Sequence, residues 1–126
     1  MSISVPGSKL DEVVAFYVKA LEPLRYVEMM RFPGVVGLGA DGVPDFWIGT
    51  QESAKGGETH IAFSAKERAL VNSFHAAALK AGAENNGDPG PRPQYTPTYY
   101  SAYARDPMGN NVEVVCHCPE EAAKSQ

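Results

Sequence analysis

His60 and Glu113 are the two residues of this chain whose types and settings could do chemistry together. His60 opens Thr-His-Ile-Ala-Phe-Ser (59–64), an alternating strand-like run, and Glu113 lies in Asn-Val-Glu-Val-Val-Cys-His (111–117). The tight-turn sequence Asp106-Pro107-Met108-Gly109-Asn110 feeds that second run. Val112 and Val114 must be buried there, so Glu113 falls on the opposite face. A histidine and a carboxylate brought together can share a divalent ion, transfer a proton, or satisfy each other as a buried polar pair.

A second group concentrates planar side chains and one fixed cation: Arg92, Tyr95, Tyr99 and Tyr100, in a segment stiffened by Pro89, Pro91, Pro93 and Pro97. With Trp47 from the first half, these residues are expected to line a pocket for a flat or acidic small molecule, the arginine gripping a carboxylate or enolate. Other candidates carry less. His75 falls on a helix beside Phe74 and reads as a core-edge histidine, and His117 ends a strand near the terminus, where a surface position is expected. Cys116 and Cys118 share a strand face two residues apart and would close a strained ring if bridged, so reduced thiols are expected. A Cys-His-Cys metal nest would need adjacent side chains that point to opposite faces.

The elements that must position these residues follow from apolar spacing. The chain has 126 residues, 44% hydrophobic and 21% charged, which suits one globular domain with a real core. A net charge of -4 argues against nucleic acid or an anionic membrane as partner. No apolar run approaches the roughly 20 residues that span a bilayer, and the N-terminus lacks the pattern of a secretory signal. A soluble, cytoplasmic protein is expected.

Ile3 and Val5 mark a short strand ended by Pro6-Gly7. Ser8 as N-cap, Asp11 and Glu12 in the first turn, and Leu10, Val13, Val14, Tyr17 and Leu21 at helical spacing predict a helix stopped by Pro23. Strands are expected at Tyr26–Met30, Val35–Leu38 and Phe46–Ile48, then a polar linker over Gln51–Glu58. The second half predicts a helix over about Lys66–Ala81 ended by Gly82, a weak strand near Glu84, a long irregular loop from Asp88 to Pro97, strands at Tyr99–Arg105 and Asn111–Cys116, and a tail over 119–126.

Sliding the chain by 58 residues superposes its halves. Ile3 meets Ile61, Val5 meets Phe63, Val13 meets Val71, Phe16 meets Phe74, Ala20 meets Ala78 and Leu21 meets Leu79. The reading is a single domain over 1–118, made of two tandem βαβββ modules at about 1–50 and 59–118.

Together with Ala15-Phe16-Tyr17, Pro44-Asp45-Phe46-Trp47, His60-Ile61-Ala62-Phe63 and Arg105 to Glu113, that duplication resembles the vicinal oxygen chelate superfamily of glyoxalase-like, bleomycin-resistance and extradiol dioxygenase proteins. The resemblance implies an α+β fold whose eight strands form an open cup around ligand and metal. In metal-using members a histidine opens the first strand of each module and a carboxylate rides each last strand. His60 and Glu113 match the second pair. In the first module the repeat offset puts Ser2 opposite His60, and counting from the turn glycine puts Phe46 opposite Glu113, with Asp45 or Trp47 one residue away. Neither Ser2 nor Phe46 is a usual ligand, so a divalent metal is expected to bind weakly or not at all.

The functional expectation is glyoxalase-like binding of a small organic molecule, with lyase, isomerase or oxygenase chemistry assisted by Glu113 and His60. A non-catalytic, sequestering binder of the resistance type is the alternative. A homodimer is expected, since the fold leaves sheet edges to cover.

Overall fold

A computed structural model describes residues 1–57 and 59–118; the expected tail at 119–126 lies outside the described residues. Each half is one βαβββ unit. The first runs β1 (Ser2–Val5), α1 (Leu10–Ala20), β2 (Val27–Phe32), β3 (Val35–Ala40) and β4 (Val43–Thr50). The second runs β5 (His60–Ser64), α2 (Arg68–Lys80), β6 (Glu84–Pro91), β7 (Tyr99–Arg105) and β8 (Asn111–His117). The strands form two four-stranded sheets of the same topology, β1-β4-β3-β2 and β5-β8-β7-β6, with no closed barrel. In each, the first strand lies parallel to the last and the other pairs are antiparallel.

Alternation decides what each face does. Ile3, Val5, Val36, Leu38, Phe46 and Ile48 from the first sheet are buried with Val13, Phe16, Tyr17 and Ala20 of α1. Ile61, Phe63, Ala102, Ala104, Val112 and Val114 do the same under Val71, Phe74 and Ala78 of α2. The two cores join into one cluster, with Phe46 edge-on to Phe63 at 5.2 Å and to Tyr17 at 4.9 Å. Asp11 and Glu12 stand in the first turn of α1 as expected, although a 3-10 turn at Gly7–Lys9 precedes the helix and no side chain caps it.

Three expectations change. The irregular loop expected from Asp88 is instead strand as far as Pro91, because β6 follows the edge of β7 through two register irregularities. That strand buries little, so apolar periodicity could not reveal it. The expected linker is tied at both ends: Gly7 N–H donates to Glu52 Oε2 at 2.9 Å, and Gly57 N–H to Asn110 Oδ1 at 3.0 Å. The two cysteines, expected as reduced thiols sharing a strand face, are brought within bridging reach of each other. The chain bends where β8 ends, which brings their Cα atoms to 5.3 Å, inside the ordinary bridging range.

The Asp106–Asn110 turn is a structural clasp. Asp106 Oδ1 accepts from the Met108 and Asn110 N–H groups, and Oδ2 accepts from Asn110 Nδ2. The same carboxylate accepts the buried Tyr17 hydroxyl at 2.5 Å, fastening α1 of the first module to the β7–β8 turn of the second. Burial, then the Asp106 charge, push the Tyr17 phenol well above its ordinary pKa. Gly109 completes the turn at φ +82°, a conformation that favours glycine.

No helix among the described residues is long and apolar enough to cross a membrane.

Candidate functional site

The helix-free face of the second sheet collects the chemistry. Glu113 is paired in register with Tyr103 across β7 and β8, and Ala62 faces it from β5. Its carboxylate is only 2% exposed and is held by three donors. Oε1 lies 2.9 Å from His60 Nε2, while Oε2 accepts the Tyr99 hydroxyl at 2.5 Å and the Tyr103 hydroxyl at 3.1 Å. His60, by contrast, is 54% exposed at its side chain. An ionised carboxylate only accepts, so in the neutral ring the proton sits on Nε2 and the Nδ1 lone pair is left for other partners.

Both phenols are raised above their ordinary pKa, Tyr99 the further. For Tyr99 burial is the largest cause, followed by its hydrogen bond to Glu113 and the charge of that carboxylate. For Tyr103 burial again leads, opposed by its contact with Ser101 and reinforced by Glu113. At neutral pH both are therefore protonated donors.

Arg92 sits above this cluster, its guanidinium 5.5 Å from the Tyr103 ring centroid. It donates to the Asp88 carbonyl at 2.8 Å and the Pro91 carbonyl at 3.3 Å. Tyr95 packs edge-on to Tyr99 at 4.9 Å, and His117 does so at 5.2 Å. The connection from β6 to β7 is a pair of tight turns, with Tyr95 N–H on Arg92 O and Tyr99 N–H on Thr96 O, and it holds the group in place.

The sequence-predicted residues therefore separate. His60, Glu113, Arg92, Tyr95 and Tyr99 come together. Tyr100 does not: strand alternation turns it to the helix side, where its hydroxyl donates to Asn72 at 2.8 Å and Arg68 lies 4.7 Å over its ring. Trp47 stands on the first sheet with its ring against Gly37, where an added Cβ would strike it. Tyr103 was missed by sequence reasoning, although its even spacing of four residues from Tyr99 placed it on the same strand face. His117 is exposed as expected, and His75 is the expected core-edge histidine, buried and 2.9 Å from Asn85 Oδ1.

The first-module counterpart of Glu113 also needs correction. Ser2 pairs with Trp47 and Ser4 with Gly49, whereas His60 pairs with Asn111 and Ala62 with Glu113. Ser2 therefore does correspond to His60, but Gly49 corresponds to Glu113. Phe46, obtained by counting from the turn glycine, is fully buried on the helix side. The count failed because the turn glycine stands five residues before the partner of the first strand's opening residue in the first module, Gly42 to Trp47, and two before it in the second, Gly109 to Asn111, and the odd difference exchanges the faces. Asp45, the fallback oxygen donor, accepts from the Tyr26 hydroxyl at 2.8 and 3.0 Å.

Divalent metal fits this donor set poorly. No group of three or more His, Cys, Asp or Glu side chains among the described residues converges on one point. His60 and Glu113 supply two ligands, where a catalytic zinc site uses three and a structural one four, and an ion would have to displace the hydrogen bonds already on Glu113.

No protein-family model matches the sequence, and no curated protein does. Solved structures match over nearly the whole chain. A glyoxalase/bleomycin resistance protein from Albidiferax ferrireducens T118 superposes with TM-score 0.75 at 23% identity, covering 92% of this chain and 95% of that one. A glyoxalase/bleomycin resistance protein/dioxygenase family enzyme from Burkholderia phytofirmans PsJN gives 0.70 at 19%, over 94% and 96%. A glyoxalase-related enzyme from Fulvimarina pelagi gives 0.67 at 14%, over 91% and 85%. The fold is the vicinal oxygen chelate fold.

Proposed function

Starting from that fold, we propose that this chain binds a small organic molecule on the helix-free face of its second sheet, and that His60, oriented by Glu113, exchanges a proton with it. The observation that carries the reading is the contrast inside one hydrogen-bonded pair: a carboxylate 2% exposed and fully engaged, and an imidazole 54% exposed with one nitrogen unengaged. Glu113 fixes the ring and stabilises the imidazolium that forms when Nδ1 takes a proton. Tyr99 and Tyr103 hold Glu113 in turn, so the carboxylate cannot swing out to compete for the ligand. Arg92 offers its remaining N–H groups to an anionic part of the ligand, and Tyr95 supplies an exposed aromatic edge.

The favoured substrate class is a planar or acidic molecule with a proton acidified by a neighbouring carbonyl, handled by isomerase- or lyase-type transfer. Two protein ligands make metal-dependent oxygenation a weaker reading. Sequestration without turnover is the second reading, favoured by the saturation of Glu113 and by the bleomycin resistance proteins among the structures of this fold.

The experiment is a ligand-observed NMR screen of small aromatic and keto carboxylates, followed by deuterium uptake from solvent into the molecules that bind. The wild-type chain is expected to exchange a ligand proton, and His60→Gln to bind without exchanging. Binding without exchange in the wild type would select sequestration; ligand contacts mapping away from the second sheet would overturn the site.

A homodimer belongs to the same proposal. Val27, Met30 and Phe32 on the edge strand β2 are exposed, and a second copy would cover them. Sedimentation at micromolar concentration should give twice the chain mass; a monomer would remove this part.

A further inference from the structure

We infer that Cys116 and Cys118 form a reversible dithiol/disulfide couple whose state is transmitted to the candidate site through His117 and Tyr99. The pair closes a loop over one residue, His117, with Cα atoms 5.3 Å apart. A bridge that short removes little freedom from the unfolded chain, so it serves poorly as a staple. The reduced form is also accommodated: Cys118 Sγ lies 3.0 Å from the Lys66 carbonyl oxygen, an acceptor in place for a thiol proton. Cys116 is fully buried while Cys118 is partly exposed, which sets the order of events. Arg68 Nε donates to the Cys118 carbonyl at 3.3 Å and so holds the backbone that carries the accessible sulfur.

The oxidant is a low-molecular-weight disulfide. The Cys118 thiolate attacks one of its sulfurs and expels a thiolate that takes up a proton from solvent. Cys116 then loses its proton and attacks the Cys118 sulfur of the mixed disulfide, expelling the second small thiol. The protein is oxidised by two electrons, and one small disulfide becomes two thiols.

The coupling is geometric. Cys116 pairs in register with Tyr100 and His117 with Tyr99, both beyond the reach of β5, whose pairing with β8 ends at Val115. The terminal segment of β8 is therefore strand-paired on one side only, its other side held by the Arg68 and Lys66 contacts to Cys118, and the bridge adds a restraint. His117 packs edge-on to Tyr99 at 5.2 Å, and Tyr99 donates to Glu113. Opening the bridge loosens the His117 edge of the ring that holds the Glu113 carboxylate.

The test uses the full chain, equilibrated in buffers of reduced and oxidised glutathione of graded ratio, quenched with an alkylating reagent and weighed by mass spectrometry. A single two-electron transition is expected, between a form with both thiols labelled and an unlabelled form, the far-UV circular dichroism remaining unchanged. Across the same transition the ring NMR signals of His117 and His60 are expected to shift together. Cys118→Ser is expected to abolish both responses while leaving the chain folded. Thiols labelled at every ratio, a bridge that resists excess dithiothreitol under native conditions, or a transition that leaves the His60 signals in place would each overturn the inference.

Discussion

The two sheets share a topology and differ in how far their last hairpin reaches. In the first module β3 and β4 extend past the start of β1, so Val43 to Phe46 have no partner on that side. In the second, β7 and β8 extend past the other end, beyond Ser64 of β5. That extension carries Tyr99 and His117, and its helix-free face holds Ser101, Tyr103 and Glu113 behind it. The corresponding face of the first sheet has Ser2, Ser4, Trp47 and Gly49. One module thus presents small side chains and Trp47 on this face and the other presents the candidate site, a division set by register rather than by the repeat alone.

The sharpest test of that register compares two substitutions three residues apart. Phe46→Glu places an unpaired carboxylate in the core and loses a large aromatic side chain; removal of the ring alone costs about 3–5 kcal/mol, and the buried charge adds to it. Gly49→Glu should change stability by about 1 kcal/mol or less, because an added Cβ meets nothing nearer than the Ile3 carbonyl at 4.0 Å. Urea unfolding would decide. Equal losses at both positions would mean that Gly49 does not stand where Glu113 does.

The clasp between modules comes next. Tyr17→Phe deletes one donor to Asp106 at a site with no access to water, and should destabilise by about 1–3 kcal/mol. Asn110 still satisfies Asp106, so the loss should fall toward the lower end of that range. Glu113→Gln should cost a similar amount, since its amide group would face donors instead of accepting from them. A cost for Glu113→Gln near zero would mean the cluster is wet and loose.

Alkaline titration separates the same regions by a smaller effect. Tyr17, Tyr26, Tyr99 and Tyr103 are all raised in the folded chain, burial being the first cause for each. The folded state then binds more protons than the unfolded one above pH ~10. Their contribution to stability is fully present below that pH and is lost as pH rises toward the folded values. The phenolate absorbance of these four should accordingly rise in step with loss of tertiary structure, and ionisation of all six tyrosines of the chain in the intact fold would contradict it.

Much of the fold was legible because both periodicities were clean: the 58-residue offset aligned β1 with β5 and α1 with α2, and Asp11, Glu12 and Pro23 marked the first helix. The edge strand β6 was obscured because an edge strand rich in Asn, Gly and Pro buries almost nothing. The geometry of the candidate site was half legible. His60 and Glu113 followed from strand alternation, but Phe46 was taken for Glu113's counterpart because hairpin overhang cannot be counted from a turn glycine. Tyr100 was grouped with Tyr99 by proximity in sequence, which strand geometry forbids. The same alternation, applied one step further, leads to Tyr103.

The smallest effect discriminates between those neighbours. Tyr99→Phe removes one of three donors from Glu113 and should cost about 1 kcal/mol, the net worth of a typical hydrogen bond. Tyr100→Phe removes an exposed bond to Asn72 and should cost about 0.5 kcal/mol or less. Stabilities this close are poorly separated by unfolding, so the deciding signal is the His60 imidazole. Glu113 relaxes when Tyr99 stops donating, and the His60 Nε2–H resonance should move with it. Tyr100 lies behind the sheet and touches α2, so its substitution should leave that resonance where it was. A shift of equal size from both variants would mean that the two faces communicate through β7, and the separation of the candidate site from the helix side within the second module would fail.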